Sequence, residues 1–193
     1  MAVIFALTLV SCSGQEDQDE GDDNNETPVL HESYVTALAS PALSATMTSN
    51  ITSSLGRLEA SYSATYNNGE VNVSYTRSTF GTIDENTSAD DLISTVTDTA
   101  VIRADGSSDG KIGALASALL RRELNLSGVS EYTDKDGSLS FTVTSENSGA
   151  VFGNICEYDV AVTITLNDGR IDKISLSYES ESGTVMAECS YKY

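Results

Sequence analysis

The sequence predicts an α+β fold: a single curved antiparallel β-sheet of about six to eight strands, with an N-terminal amphipathic helix and one or two short helices packed on its apolar face. Three observations predict it. Apolar residues recur at every second position in segment after segment from residue 57 to the C-terminus. Between those segments lie Asn68-Gly69, Asp136-Gly137 and Asp168-Gly169, pairs that adopt the positive φ a tight hairpin needs. The chain holds only two prolines and is rich in Ser and Thr, a composition that suits strands better than packed helices. Its 193 residues are one domain's worth of chain, and 39% hydrophobic residues provide a core, though a light one with 7% aromatics and no Trp.

Taken in order, residues 1–12 form an apolar run, Met1-Ala-Val-Ile-Phe-Ala-Leu-Thr-Leu-Val-Ser-Cys12, too short to span a bilayer. It has the apolar core and small-residue end of a secretory signal. The ending Leu9-Val10-Ser11-Cys12 resembles the lipobox of bacterial lipoproteins. That resemblance implies cleavage after residue 11, diacylation of the Cys12 thiol, and a protein held by its N-terminal lipid in the cell envelope outside the cytoplasm. No Lys or Arg precedes the run, where a basic stretch is expected, so the leader over 1–11 is expected to begin upstream of Met1. Residues 12–27 follow as an acidic tether, with Glu16, Asp17, Asp19, Glu20, Asp22, Asp23 and Glu26 and no basic residue. Such a stretch buries nothing and its charges repel, which predicts an extended, disordered spacer. Similar acidic spacers serve as surface-export signals in some lipoproteins.

Residues 28–193 form the expected domain. Ser40-Pro41 reads as a helix start, with Ser as N-cap and Pro at the first helical position. Leu43, Met47, Ile51 and Leu55 then recur every fourth residue and Gly56 supplies the stop, predicting a helix of about four turns. Strict alternation follows, with Leu58, Ala60, Tyr62, Ala64 and Tyr66 on one face; after the turn at Asn68-Gly69, Val71, Val73 and Tyr75 resume it. Ser88-Ala89-Asp90-Asp91 has the look of a capping box opening a short helix through about Thr97, followed by a strand over 100–103. Ile112, Leu115, Ala116, Leu119, Leu120 and Leu124 give a further helical face between Lys111 and Leu126. The last third is all strand: Leu139 to Val143, then Tyr158 to Leu166, then a run in which Ile171 is out of phase with Ile174, Leu176 and Tyr178. That phase break predicts a bulge around Asp172-Lys173. A final strand sets Val185, Ala187, Cys189, Tyr191 and Tyr193 on one side.

Charge and composition exclude several functions. Ten Lys and Arg against 29 Asp and Glu give a net charge of -19, which repels nucleic acid. The single histidine, His31, lies where tether meets domain, so Ser-His, Cys-His and His-rich zinc constellations cannot assemble, and no catalytic residue is nominated. Asp105, Ser107 and Asp109, with Gly110 and Ile112 after them, resemble a calcium loop of the EF-hand or dockerin kind. The loop departs from that pattern at its twelfth position, Ala116, where a bidentate acid belongs. A turn leading into a helix is the simpler reading of the same residues. Cys156 and Cys189 are the thiols left once Cys12 is acylated, and the compartment permits a disulfide. Simple meander register, however, sets them about 23 Å apart along the strands, against about 7 Å for the largest Cα separation a disulfide spans.

Nine tyrosines are the remaining oddity, most of them on the parity of the apolar faces. Together with Met47 and Ile51, the phenols of Tyr62, Tyr75, Tyr158 and Tyr178 are candidates to line a cavity for a lipid or amphipathic ligand between sheet and helices. The order of elements resembles half-barrel lipoprotein carriers, whose curved sheet and covering helices hold acyl chains. The resulting expectation is a non-enzymatic envelope lipoprotein that binds a hydrophobic or amphipathic ligand. The alternative is a surface-exposed module with a solid core, with Ca2+ as its candidate stabiliser, that binds another envelope protein.

Overall fold

The computed structural model describes residues 32–193 apart from 55, 82–87, 89, 130, 155 and 182. The leader, Cys12, the tether and His31 lie outside the described residues. In chain order the elements are α1 (Glu32–Ala39), β1 (Ser44–Ser53), β2 (Gly56–Asn67), β3 (Glu70–Gly81), β4 (Leu92–Ile102), α2 (Ala114–Arg121), β5 (Tyr132–Lys135), β6 (Ser138–Val143), α3 (Ser148–Phe152), β7 (Val160–Asn167), β8 (Arg170–Ser180) and β9 (Gly183–Lys192). The nine strands form one sheet in the order β4-β3-β2-β1-β9-β8-β7-β6-β5, antiparallel throughout. The expectation of six to eight strands is therefore corrected to nine.

One added strand, β1, and the first part of β4 come from segments expected to be helical. The described residues of 41–56 are not a helix: Ser44–Ser53 form β1, Gly56 opens β2, and Leu55 lies outside the described residues. Leu43, Met47, Ile51 and Leu55 are four apart, a spacing that also keeps one face of a strand because four is a multiple of two. The residues between them are Ser, Thr and Asn, poor in helices and well suited to a pleat. Ser40-Pro41 ends a helix instead of starting one: Ser40 N–H donates to the Ala37 carbonyl (3.2 Å) and Ser40 Oγ to that of Thr36 (3.1 Å), and Pro41 blocks continuation. The real N-terminal helix is α1, which buries Tyr34, Ala37 and Leu38. Residues 88–97 are likewise not helical. Capping-box bonds do form, Ser88 N–H to Asp91 Oδ2 (2.7 Å) and Asp90 N–H to Ser88 Oγ (3.2 Å), but the chain they turn enters β4, where Thr95, Val96, Thr97 and Thr99 favour the pleat. The helix expected over 111–126 is confined to α2, closed at Arg122 in the left-handed conformation, φ 58°.

The hairpins follow the turn chemistry. Asn68-Gly69, Asp136-Gly137 and Asp168-Gly169 all sit at positive φ, 51° and 82°, 53° and 76°, 50° and 72°, the two-residue turn whose twist matches the strands it joins. The bulge is also present: Thr165 pairs with Lys173 and Leu166 with Ile171, leaving Asp172 over, so Ile171 and Ile174 both reach the core with no accessible surface. Two other hairpins share a different device. Ser53 Oγ donates to the Gly56 carbonyl (3.1 Å) and Ser180 Oγ to that of Gly183 (2.8 Å).

The meander runs outward from β1 to the edge at β4, crosses to the far edge through the segment carrying α2, and returns from β5 to β9, which closes beside β1. That crossing segment and α1 cover one face of the sheet. Its inward residues, among them Met47, Ala64, Val73, Ile102, Leu139, Ile164, Ile174 and Cys189, form a single core with Leu38, Leu119, Leu120 and Phe152 from the helices. Each fully buried Leu, Ile or Val in that layer contributes about 1.5–3 kcal/mol.

Candidate functional site

Alternation places a second set of side chains on the opposite face, and register aligns them across the sheet. One row runs Thr163, Ser175, Glu188, Thr48, Ser61, Thr76 over β7, β8, β9, β1, β2 and β3. The neighbouring row runs Ala161, Ser177, Met186, Asn50, Glu59, Ser78 over the same strands. A third row, Thr165, Lys173, Ser190, Thr46, Ser63, Ser74, is again hydroxyl at every position but the lysine. Direct hydroxyl contacts knit the flanks: Thr76 to Thr97 (3.2 Å), Ser78 to Thr95 (3.2 Å) and Ser140 to Thr163 (3.1 Å).

The first two rows line a trough of about 660 Å³. Six strands spaced about 4.8 Å apart span about 24 Å, so one cleft touching both Thr76 and Thr163 requires the sheet to curl with its hydroxyl face inward. Met186, 59% exposed, stands at the middle of the trough. The two carboxylates of the lining are both paired, Glu59 with Arg57 (2.7 Å) and Glu188 with Lys173 (3.1 Å). On a chain of net charge -19, this surface is close to neutral. Its volume falls in the range of small-molecule sites, and its chemistry is that of hydrogen-bonding hydroxyls interleaved with Thr methyls and one thioether.

The residues nominated from sequence fall elsewhere. Met47 and Tyr75 are 1% and 3% exposed; side chains lining a void large enough for an acyl chain would show more surface than that, so they belong to solid packing. Tyr62, opposite Met47 and Tyr75 in register, stacks on Tyr75 with ring centroids 5.8 Å apart. Tyr158 and Tyr178 stack at 5.5 Å, and Ile51 is half-buried on a row with Leu58, Val185 and Tyr178. The structure thus makes two separate aromatic pairs of the four phenols.

Cys189 is buried opposite Ile174, as the meander register requires, while Cys156 lies in the loop after α3 with its N–H donated to Ser148 Oγ (2.8 Å); both are free thiols. Burial pushes the Cys189 thiol up to about 11. In the proposed calcium loop, the Ser107 side chain first and then its N–H (2.9 Å) hold the Asp105 carboxyl below the usual range, while Asp109 accepts the Val101 N–H (2.7 Å) and faces Arg103 (3.6 Å). These oxygens close a turn against β4. Among the described residues no three His, Cys, Asp or Glu gather as a metal site.

Sequence reasoning missed the role of the other tyrosines. Tyr66 donates its hydroxyl to the Leu120 carbonyl (2.6 Å) at the open end of α2, and Tyr191 to that of Leu119 (2.7 Å), which also accepts the Arg122 N–H (3.0 Å). Arg122 follows directly, its guanidinium 5.6, 5.8 and 6.0 Å from the rings of Tyr66, Tyr191 and Tyr193 and donating to the Ser40 carbonyl. The phenols therefore bolt the helical layer to the sheet. The hydroxyl face was missed too, although its signal is plain in hindsight: Ser or Thr at every second position on strand after strand, with almost no Lys or Glu.

No protein-family model matches the chain, and no curated protein matches it.

Proposed function

We propose that this chain is a non-enzymatic, lipid-anchored binding module of the bacterial cell envelope that takes an elongated, uncharged amphipathic ligand in the hydroxyl-lined trough of its sheet. The observation that carries the reading is the trough itself, a near-neutral cleft on an otherwise strongly acidic chain. The lipobox-like Leu9-Val10-Ser11-Cys12 supports the anchor. Solid packing around Met47 and Tyr75 favours this open face over a cavity between sheet and helices. Binding without catalysis fits the lining, because both its carboxylates are held in ion pairs and no imidazole stands among the trough residues.

The test is native mass spectrometry of the full chain extracted from a bacterial envelope in mild detergent. A stoichiometric adduct on the wild type that is lost from Ser61→Trp, whose indole fills the trough, supports the reading. No adduct, or one equally present on Ser61→Trp, overturns it.

A further inference from the structure

Independently of the trough, we infer that the free edge of β4 is a strand-addition site for an extended, basic and apolar segment of a partner protein. The two edges of the sheet are unlike. β5 is short and carries Asp134 and Lys135, which discourage pairing. β4 has eleven residues with no Pro or Lys, is exposed on both faces from Leu92 to Thr99, and shows Leu92, Ile93 and Val96 at 58%, 43% and 51% exposure.

The chain demonstrates that this edge accepts a partner. Beside its end, Arg103 N–H donates to the Ser107 carbonyl (2.8 Å), Asp109 N–H to the Val101 carbonyl (3.3 Å), and Ile102 bridges Ser108 antiparallel. With Val101 facing outward, alternation turns the N–H and C=O of Thr99, Thr97 and Thr95 outward as well. The Thr76–Thr97 and Ser78–Thr95 hydroxyl contacts agree, because side chains approach most closely at the pairs that exchange no backbone bonds. Thr99 N–H is taken by Asp98 Oδ1 (2.8 Å). Among the described residues Thr95 and Thr97 are thus left as a ladder that the 107–109 segment starts and does not finish.

Charge selects the occupant. Asp90, Asp91, Asp98 and Asp109 border the edge, and Arg57 and Arg103 answer only Asp90 and Asp109. A second copy would bring the same acids and the same net -19 against them, whereas an alternating apolar and basic segment sets its cations on the face that Asp98 shares with Val96 and its apolar side chains beside the methyls of Thr95 and Thr97.

The probe is a capped peptide of alternating valine and lysine, about eight residues long, added to the full chain while amide exchange is followed by NMR. Exchange at Thr95 and Thr97 should slow by about tenfold or more. The same peptide N-methylated at alternate residues, equal in charge but unable to extend a ladder, should leave it unchanged. The Thr95→Pro/Thr97→Pro variant removes only outward N–H groups, and if it melts near the wild type it should lose the peptide. Equal effects of both peptides, or peptide binding retained by that variant, would reduce the observation to charge attraction and overturn the site. Slowing that grows with protein concentration alone would hand the edge to a second copy and overturn the partner.

Discussion

Replacing Tyr191 by Phe removes one oxygen and nothing else, which makes it a sharp probe of how the helical layer is fastened. Tyr191 is 5% exposed and its hydroxyl reaches the Leu119 carbonyl at 2.7 Å; without it, that carbonyl keeps the Arg122 N–H (3.0 Å) as its donor. The loss should therefore be the net value of an ordinary hydrogen bond, about 0.5–1.5 kcal/mol. The equivalent Tyr66→Phe acts on the next carbonyl, Leu120, from a half-buried ring. Leu120 has no accessible surface and, among the described residues, its carbonyl takes no turn N–H as that of Leu119 does, so the loss should rise to the cost of a buried unpaired acceptor, about 1–3 kcal/mol. Both variants share Arg122 as neighbour, and the double variant should therefore deviate from additivity. Urea denaturation followed by circular dichroism reads all three. The order Tyr66→Phe worse than Tyr191→Phe, at unchanged m-value, is expected; equal costs, or a neutral Tyr66→Phe, would refute the assignment of these phenols as caps for α2.

Other outcomes follow from the same structure. Burial raises the ionisation of Cys189 to about 11 and that of Tyr34 to about 12, and raises Tyr66 and Tyr191 as well. The unfolded chain releases those protons first, so stability from these groups is complete below about pH 8.5 and is lost as pH rises through the folded values. Urea midpoints should fall over that alkaline window, and less steeply in Cys189→Ala. In native protein an alkylating reagent should label Cys156, which is partly exposed, well before Cys189, which has no accessible surface; equal rates, measured by mass spectrometry, would contradict the packing. Gly183→Ala places a methyl against the Thr52 carbonyl at φ 132° and should cost about 1–3 kcal/mol or more, whereas Gly153→Ala, with open space at its Cβ position, should cost less; thermal melts separate them. Asp109→Ala should lower the melting temperature by freeing the Val101 N–H, equally with and without calcium; a calcium-dependent difference would restore the metal-loop reading.

How much of this was legible depended on whether the local signal had one meaning. Asn68-Gly69 and Asp168-Gly169 force positive φ, so both hairpins and their register were readable, and the phase break at Ile171 located the bulge. The spacing of Leu43, Met47 and Ile51 satisfies both helix and strand, and the proline that marks a helix start at one register marks a stop one segment earlier; only pairing of β1 with β2 and β9 decides between them. α1 was readable in principle from Tyr34, Ala37 and Leu38 ahead of Pro41. The site was less legible because a trough belongs to no single segment. Hydroxyls that look like ordinary solvated positions on each strand become a surface only when register stacks β7, β8, β9, β1, β2 and β3 side by side, and phenols that share the core parity turn out to be helix caps and stacked pairs.

The central claim is that binding takes place on the hydroxyl face and not between sheet and helices. Chemical-shift mapping by NMR, titrating the organic extract of the envelope-purified protein back into delipidated full chain, separates the two. Perturbations centred on the amides of Thr48, Ser61, Thr76, Met186 and Glu188 are predicted. Perturbations centred on Met47, Tyr75 and the α2 residues Leu119 and Leu120, with the trough unmoved, would contradict it.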